Sequence, residues 1–91
     1  MFAISFDMVI KDLEHYYGTP YNRAYYDIKK VLEEHEFHWF QGSTYMIASN
    51  DLGKVLGAIM TLKSIEWFRK SVRDIRGYRV EDWSDFTPLF K

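Results

Sequence analysis

Asp7 closes a short apolar–polar alternation and Ser43 sits in the turn Gln41-Gly42-Ser43; these two side chains are the best suited to act on a phosphate ester. A carboxylate recruits a divalent cation such as Mg2+ or orients an attacking oxygen, and a hydroxyl contacts a phosphoryl oxygen. Between 63 and 79 the chain adds positive charge. Lys63, Arg69, Lys70, Arg73, Arg76 and Arg79 are opposed only by Glu66 and Asp74, a net +4 in a chain of net −1. Cations hold phosphates in register, so a carboxylate beside such a cluster suits hydrolysis of a polyanion. His15, His35 and His38 are acid–base candidates by type. His35 falls on the inner stripe of a helix and His38 on a strand, which leaves His15. No set of His, Asp and Glu has metal-ligand spacing, so Asp7 is the one position to which a cation is assigned. Tyr16 and Tyr17 are placed to stack on a base, whereas Tyr21, Tyr25 and Tyr26 read mostly as packing.

Each of these residues also has a plainer reading. Asp7 can pair with Arg73 or Arg76 or accept backbone hydrogen bonds, and serine is common in hairpins. A basic run is often a solvated face that pairs with nearby acids, here Glu81, Asp82 and Asp85. What separates the readings is whether the fold brings the residues together.

The elements follow from periodicity. Phe2, Ile4, Phe6 and Met8 alternate with Ala3, Ser5 and Asp7, the pattern of a strand over 2–8. A looser connection over 9–19 leads to Thr19 and Pro20, an N-cap and first-turn pair. A helix is expected over 20–36, with Ala24, Tyr25, Ile28, Val31, Leu32 and His35 inward. Residues 37–40 and 44–48 form a hairpin about Gln41-Gly42-Ser43. Ser49-Asn50 caps a second helix whose inner stripe is Leu52, Val55, Leu56, Ile59 and Met60. Ser64 caps a short turn through 65–68, a charged strand spans 72–83, and Pro88 marks a tail.

The order β-α-β-β-α-β at this length predicts an α+β ferredoxin-like fold, with sheet order 4-1-3-2 and both helices on one face. The first, third and fourth strands then deliver Asp7, Ser43 and Arg73 to one margin of the sheet, with Lys63, Arg69 and Lys70 arriving from the second helix and its following turn. Seventeen aromatic rings, 19% of 91 residues, exceed what so small a core holds. The uncovered sheet face is therefore expected to be buried by a second copy through a two-fold axis.

Composition bounds the rest. The length is that of one domain, 1–91, and 47% hydrophobic with 27% charged residues excludes disorder. With no cysteine, thiol nucleophiles, disulfides and cysteine zinc sites are excluded. The first residues lack a basic n-region, and no apolar stretch approaches the roughly 18 residues of a membrane span, so a soluble cytoplasmic protein without a membrane partner is expected.

Several blocks resemble the virulence-associated protein D (VapD) family. They are Met1-Phe2-Ala3-Ile4-Ser5-Phe6-Asp7-Met8, Gln41-Gly42-Ser43-x-Tyr45, and the run from Ala58 to Phe68. Ser71-Val72-Arg73-Asp74-Ile75-Arg76 and the stretch from Arg79 to Phe86 extend the likeness over essentially the whole chain. The resemblance implies a bacterial endoribonuclease, with a fold like that of the small CRISPR-associated adaptation proteins of ferredoxin type, and a homodimer. Some members are toxins paired with a small antitoxin, which ties the family to virulence. It also implies catalysis by the strand-1 aspartate, matching Asp7, with a serine matching Ser43 implicated. On this reading RNA is the substrate, and Lys63, Arg69, Lys70, Arg73, Arg76 and Tyr16 are candidates for contacting it. The rival from another class is a module that binds nucleic acid or protein through the same surfaces without cutting.

Overall fold

Burial of alternate side chains fixes the first strand. In the computed structural model, which describes residues 1–91, Phe2, Ile4, Phe6 and Met8 of β1 (Phe2–Met8) are buried, and Asp7 is exposed. The remaining elements are α1 (Ile10–Tyr16), α2 (Asn22–Glu34), β2 (His38–Gln41), β3 (Thr44–Ile47), α3 (Leu52–Ser64), α4 (Glu66–Ser71) and β4 (Val72–Arg79). The four strands form one sheet in the order β2-β3-β1-β4, as expected, with β1 antiparallel to both neighbours. The inner side chains of β1 share a core with Ala24, Ile28 and Leu32 of α2 and Val55, Ala58 and Leu62 of α3, which places the helices on one face. The hairpin between β2 and β3 turns at Gly42, whose φ of 52° favours glycine.

Several elements differ from expectation. The stretch after β1 is a two-turn helix, α1, which anchors itself through one buried residue, Leu13; so short an apolar pattern leaves little periodicity to read. The next helix starts at Asn22 with Tyr21 as its N-cap, so Thr19 and Pro20, joined by a cis peptide bond, precede it. Asp51, not Ser49 or Asn50, caps α3: its Oδ1 accepts from the Gly53 N–H at 2.8 Å. The expected turn after Ser64 is α4, with Ile65 as its N-cap. The last strand stops at Arg79, which pairs with Phe2 at the start of β1, and the final link is Val80 N–H to Met1 O at 2.8 Å. Beyond that rung there is no partner strand to extend the ladder to Trp83.

The largest difference is the rotation of α3. Its buried residues are Val55, Ala58 and Leu62, while Leu52, Leu56 and Met60 are exposed. This helix is apolar around much of its circumference, so two stripes compete. The one with smaller side chains wins because it lets the helix lie close to the sheet. A Cβ added to Gly77 of β4 would come within 3.0 Å of Val55 Cγ1.

The open sheet face is more polar than the aromatic count suggested. Ser5 Oγ lies 3.1 Å from Thr44 Oγ1 and 2.7 Å from the Tyr78 hydroxyl, a hydrogen-bonded row across three strands. Apolar cover gathers at one corner, where Trp83 of the C-terminal segment packs edge-on against Phe40 at 4.8 Å.

The rotation of α3 is directly testable by urea unfolding. Leu62→Ala should cost about 2–5 kcal/mol through lost burial and a residual cavity, whereas the exposed Met60→Ala should stay within about 0.5 kcal/mol. Equal losses at the two positions would place the helix in the other rotation.

Candidate active site

The backbone at the end of β1 determines what surrounds Asp7. Phe6 N–H donates to Ser43 O at 3.1 Å, the last link to the hairpin. Past it, β1 is paired with β4 alone: Asp7 faces Asp74, and Met8 faces Val72. The register slips between these two pairs, so Arg73 is the extra residue of a β-bulge. Bulges redirect the side chain of the added residue, and Arg73 Nη1 comes to 3.8 Å from Asp7 Oδ2. Both side chains remain well exposed, 63% and 64%. An exposed ion pair of this kind is weak and readily exchanged. The opposing carboxylate, Asp74, is held by Arg76 Nε at 3.0 and 3.2 Å from its two oxygens. Two carboxylates and two guanidinium groups thus meet on the open face of the sheet at the end of β1.

On the helix side of the same end lie aromatic residues. Burial, followed by the neighbouring Tyr21 and the charge of Asp7, raises the pKa of the Tyr25 phenol above the ordinary tyrosine value. Tyr21 and Tyr25, one turn apart on α2, meet edge to face at 6.4 Å. Ser43 lines an open cavity of about 460 Å³ together with Phe6, Tyr25, Tyr26, Lys29 and Trp39. Tyr25, read from sequence as packing, is half-buried and lies beside Phe6, the residue before Asp7.

The other basic residues disperse. Lys70 pairs with Glu66 at 3.0 Å and lies over the Tyr16 ring at 5.3 Å, while His15 packs edge-on against the same ring at 4.6 Å. Tyr16, Lys70 and His15 thus form one group where α1 packs against α4. Lys63 and Arg69 line a separate cavity of about 190 Å³ with Leu62, Phe68 and Ile75 on the helix side of the sheet. Arg76 belongs with Asp74, and Arg79 lies over Phe2 at 5.7 Å, where β1 begins. Arg73 is the only one of these cations within ion-pairing distance of Asp7. His35 is a structural link, with Nε2 2.8 Å from Thr61 Oγ1 across the α2–α3 contact. No three His, Asp or Glu side chains converge. Asp7 and Asp74 face each other across β1 and β4, so these two carboxylates are the ones that would hold a cation at Asp7.

With this geometry in place, comparison with known proteins is informative. Residues 1–87 match the family described as CRISPR associated protein Cas2. The chain is 57% identical to a protein named Endoribonuclease VapD 1 from Riemerella anatipestifer, over 92% of this chain and 94% of that one. It is 53% identical to Endoribonuclease VapD from Dichelobacter nodosus, over 100% of this chain and 98% of the relative. Endoribonuclease VapD from Helicobacter pylori is 52% identical, with 100% and 99% covered.

The coupling of Tyr25 to Asp7 can be measured by NMR titration of ring-labelled tyrosine. Tyr25 should ionise above the ordinary tyrosine range, and Asp7→Asn should lower its pKa, because removing a nearby negative charge favours the phenolate. An unmoved Tyr25 titration would place the carboxylate away from the ring.

Proposed function

The chain belongs to the CRISPR associated protein Cas2 family, among relatives named endoribonuclease VapD, and from that premise we propose that it cleaves RNA phosphodiester bonds at the Asp7–Arg73 pair. The enzyme is an endoribonuclease, a hydrolase acting on RNA. The observation that carries the site assignment is the bulge in β4, which sets a guanidinium against the carboxylate of β1 while leaving both open to solvent.

RNA engages by exchange. A backbone phosphate takes the Arg73 guanidinium from Asp7, forming a charge-assisted contact that Arg geometry favours. The freed Asp7 carboxylate accepts the proton of the attacking oxygen as that oxygen bonds to phosphorus, the P–O bond to the leaving ribose oxygen breaks, and the leaving oxygen takes up a proton from water. Arg73 stabilises negative charge as it builds on the phosphoryl oxygens. Ser43, beside Phe6 on the helix side of the sheet, contacts a neighbouring phosphate where the strand passes round the end of β1. Lys70 and Tyr16 extend the surface beyond β1, where they hold a flanking phosphate and a base. Lys63 and Arg69 lie farther along the helix side, so they serve only a substrate that wraps the edge of β4.

The contact for a second copy in this reading is the apolar corner of half-buried Phe40 and exposed Trp83 beside the start of β1, which leaves the Asp7 end of the open face free for RNA. A divalent cation at Asp7 would be held by the carboxylates of Asp7 and Asp74, with water completing its shell. The finer biological role, a toxin restrained by a small antitoxin and linked to virulence, rests on the family likeness. No helix is long and apolar enough to cross a membrane, and an RNA substrate makes the cytoplasm the compartment this reading implies.

Asp7→Asn should lower cleavage of single-stranded RNA by at least about 10²-fold with an unchanged circular dichroism spectrum; cleavage at the wild-type rate would remove Asp7 from the mechanism. Arg73→Ala should weaken RNA binding and reduce the slope of log K against log salt by about one. An unaltered slope would move the phosphate contact elsewhere.

A further inference from the structure

We propose that the cavity between α2 and the β2–β3 hairpin is a nucleobase site, in which an unpaired base a few nucleotides from the scissile phosphate stacks on Trp39. The inference rests on the endoribonuclease reading and adds to it the subsite that decides where along the strand the cut falls. At about 460 Å³ the cavity is within the range of small-ligand pockets. Its walls combine aromatic rings with a cation, Lys29, and the hydroxyl residue Ser43.

Trp39 is the central observation. Its ring is 57% exposed, yet it is held in place, because the indole N–H donates to Gly42 O at 2.9 Å across the hairpin. A large apolar ring, pre-positioned and left open to water, is a stacking platform without its ligand. Opposite, on α2, Tyr26 is 52% exposed, with the Arg23 guanidinium and Lys30 ammonium 5.7 and 5.6 Å from its ring centroid. Of the carboxylates on α2, Asp27 is engaged by the Tyr17 hydroxyl at 2.8 Å, and Glu33 acts on Tyr45 of the cavity wall. The cavity margin therefore presents rings interleaved with positive charge, the combination that binds a single strand through base stacking and phosphate contacts.

Position links the cavity to the chemistry. Ser43 and Phe6 line it, and Phe6 precedes Asp7 in β1; Tyr25, another lining residue, feels the Asp7 charge. From Arg73 on β4 to Trp39 on β2 the RNA strand crosses three strand spacings, about 14 Å, and passes round the end of β1, so the base on Trp39 belongs to a nucleotide a few positions from the phosphate at Arg73. The site needs a base released from pairing, so the substrate is single-stranded in the stretch that flanks the cut.

The test uses Asp7→Asn protein, so that the RNA stays whole, and short fluorescein-labelled single-stranded oligonucleotides read by anisotropy. Adding Trp39→Ala should weaken binding about 5- to 100-fold, the range set by one stacked base, and Trp39→Phe should restore most of it. An oligonucleotide series with a single abasic position should contain one member that binds weakly to the parent and loses nothing further on Trp39→Ala. That coupling would not arise from a merely structural tryptophan. Equal affinity with and without Trp39, or abasic oligonucleotides that all bind like the intact strand, would overturn the base site, and the cavity would then be a surface for a protein partner or for none. If Asp7→Asn still cuts RNA, the active-site reading fails separately, and the same affinity ratios, measured on oligonucleotides with 2′-O-methyl substitution, still decide the base site.

Discussion

One register slip in the β1–β4 ladder carries the account. The central strand has no freedom of its own: Phe2, Ile4, Phe6 and Met8 must face the helices, and moving by one residue would expose all four. That requirement sends Asp7 to the open face. The ladder to β4 is regular from Phe2 to Asp7 and then skips Arg73 before Val72 meets Met8. Strict alternation would have sent Arg73 to the helix side, opposite its neighbour Asp74. The bulge lets its side chain reach Asp7 instead.

The charges at this end balance closely. Like charges directly opposite on neighbouring strands destabilise a sheet, and Asp7 faces Asp74. Arg73 and Arg76 offset that repulsion, each holding one carboxylate. The two pairs differ in grip: Arg76 Nε lies within hydrogen-bonding distance of both oxygens of Asp74, while Arg73 approaches Asp7 no closer than 3.8 Å. The tighter pair neutralises the second carboxylate and the looser pair remains available to a phosphate. Stability at this site is not the purpose of the Asp7–Arg73 contact, since exposed pairs contribute little.

Strands were the most readable part of the chain, because period two in 2–8 and the Gly42 turn each have a single structural solution. That the end of β1 lies beside the Ser43 turn and the start of β4 followed from strand order. Helix rotation was less readable. In α3, apolar residues surround the axis, and the choice of Val55, Ala58 and Leu62 depended on close approach to Gly77, which is distant in sequence. The run from Lys63 to Arg79 looked like one basic patch but is divided by three elements, α3, α4 and β4, whose side chains leave in different directions. Pairing was unevenly legible: Lys70 with Glu66 follows helical spacing, whereas Arg73 with Asp7 joins two strands far apart in sequence and needs the bulge. The end of β4 was set by where β1 begins, a limit that no local pattern encodes.

The most direct measurement is a crystal structure of the Asp7→Asn protein with an intact single-stranded RNA bound. A backbone phosphate should be hydrogen-bonded to the Arg73 guanidinium and lie against position 7 on the open side of the bulge. RNA bound with every phosphate away from Arg73, while the guanidinium stays beside β1, would contradict it.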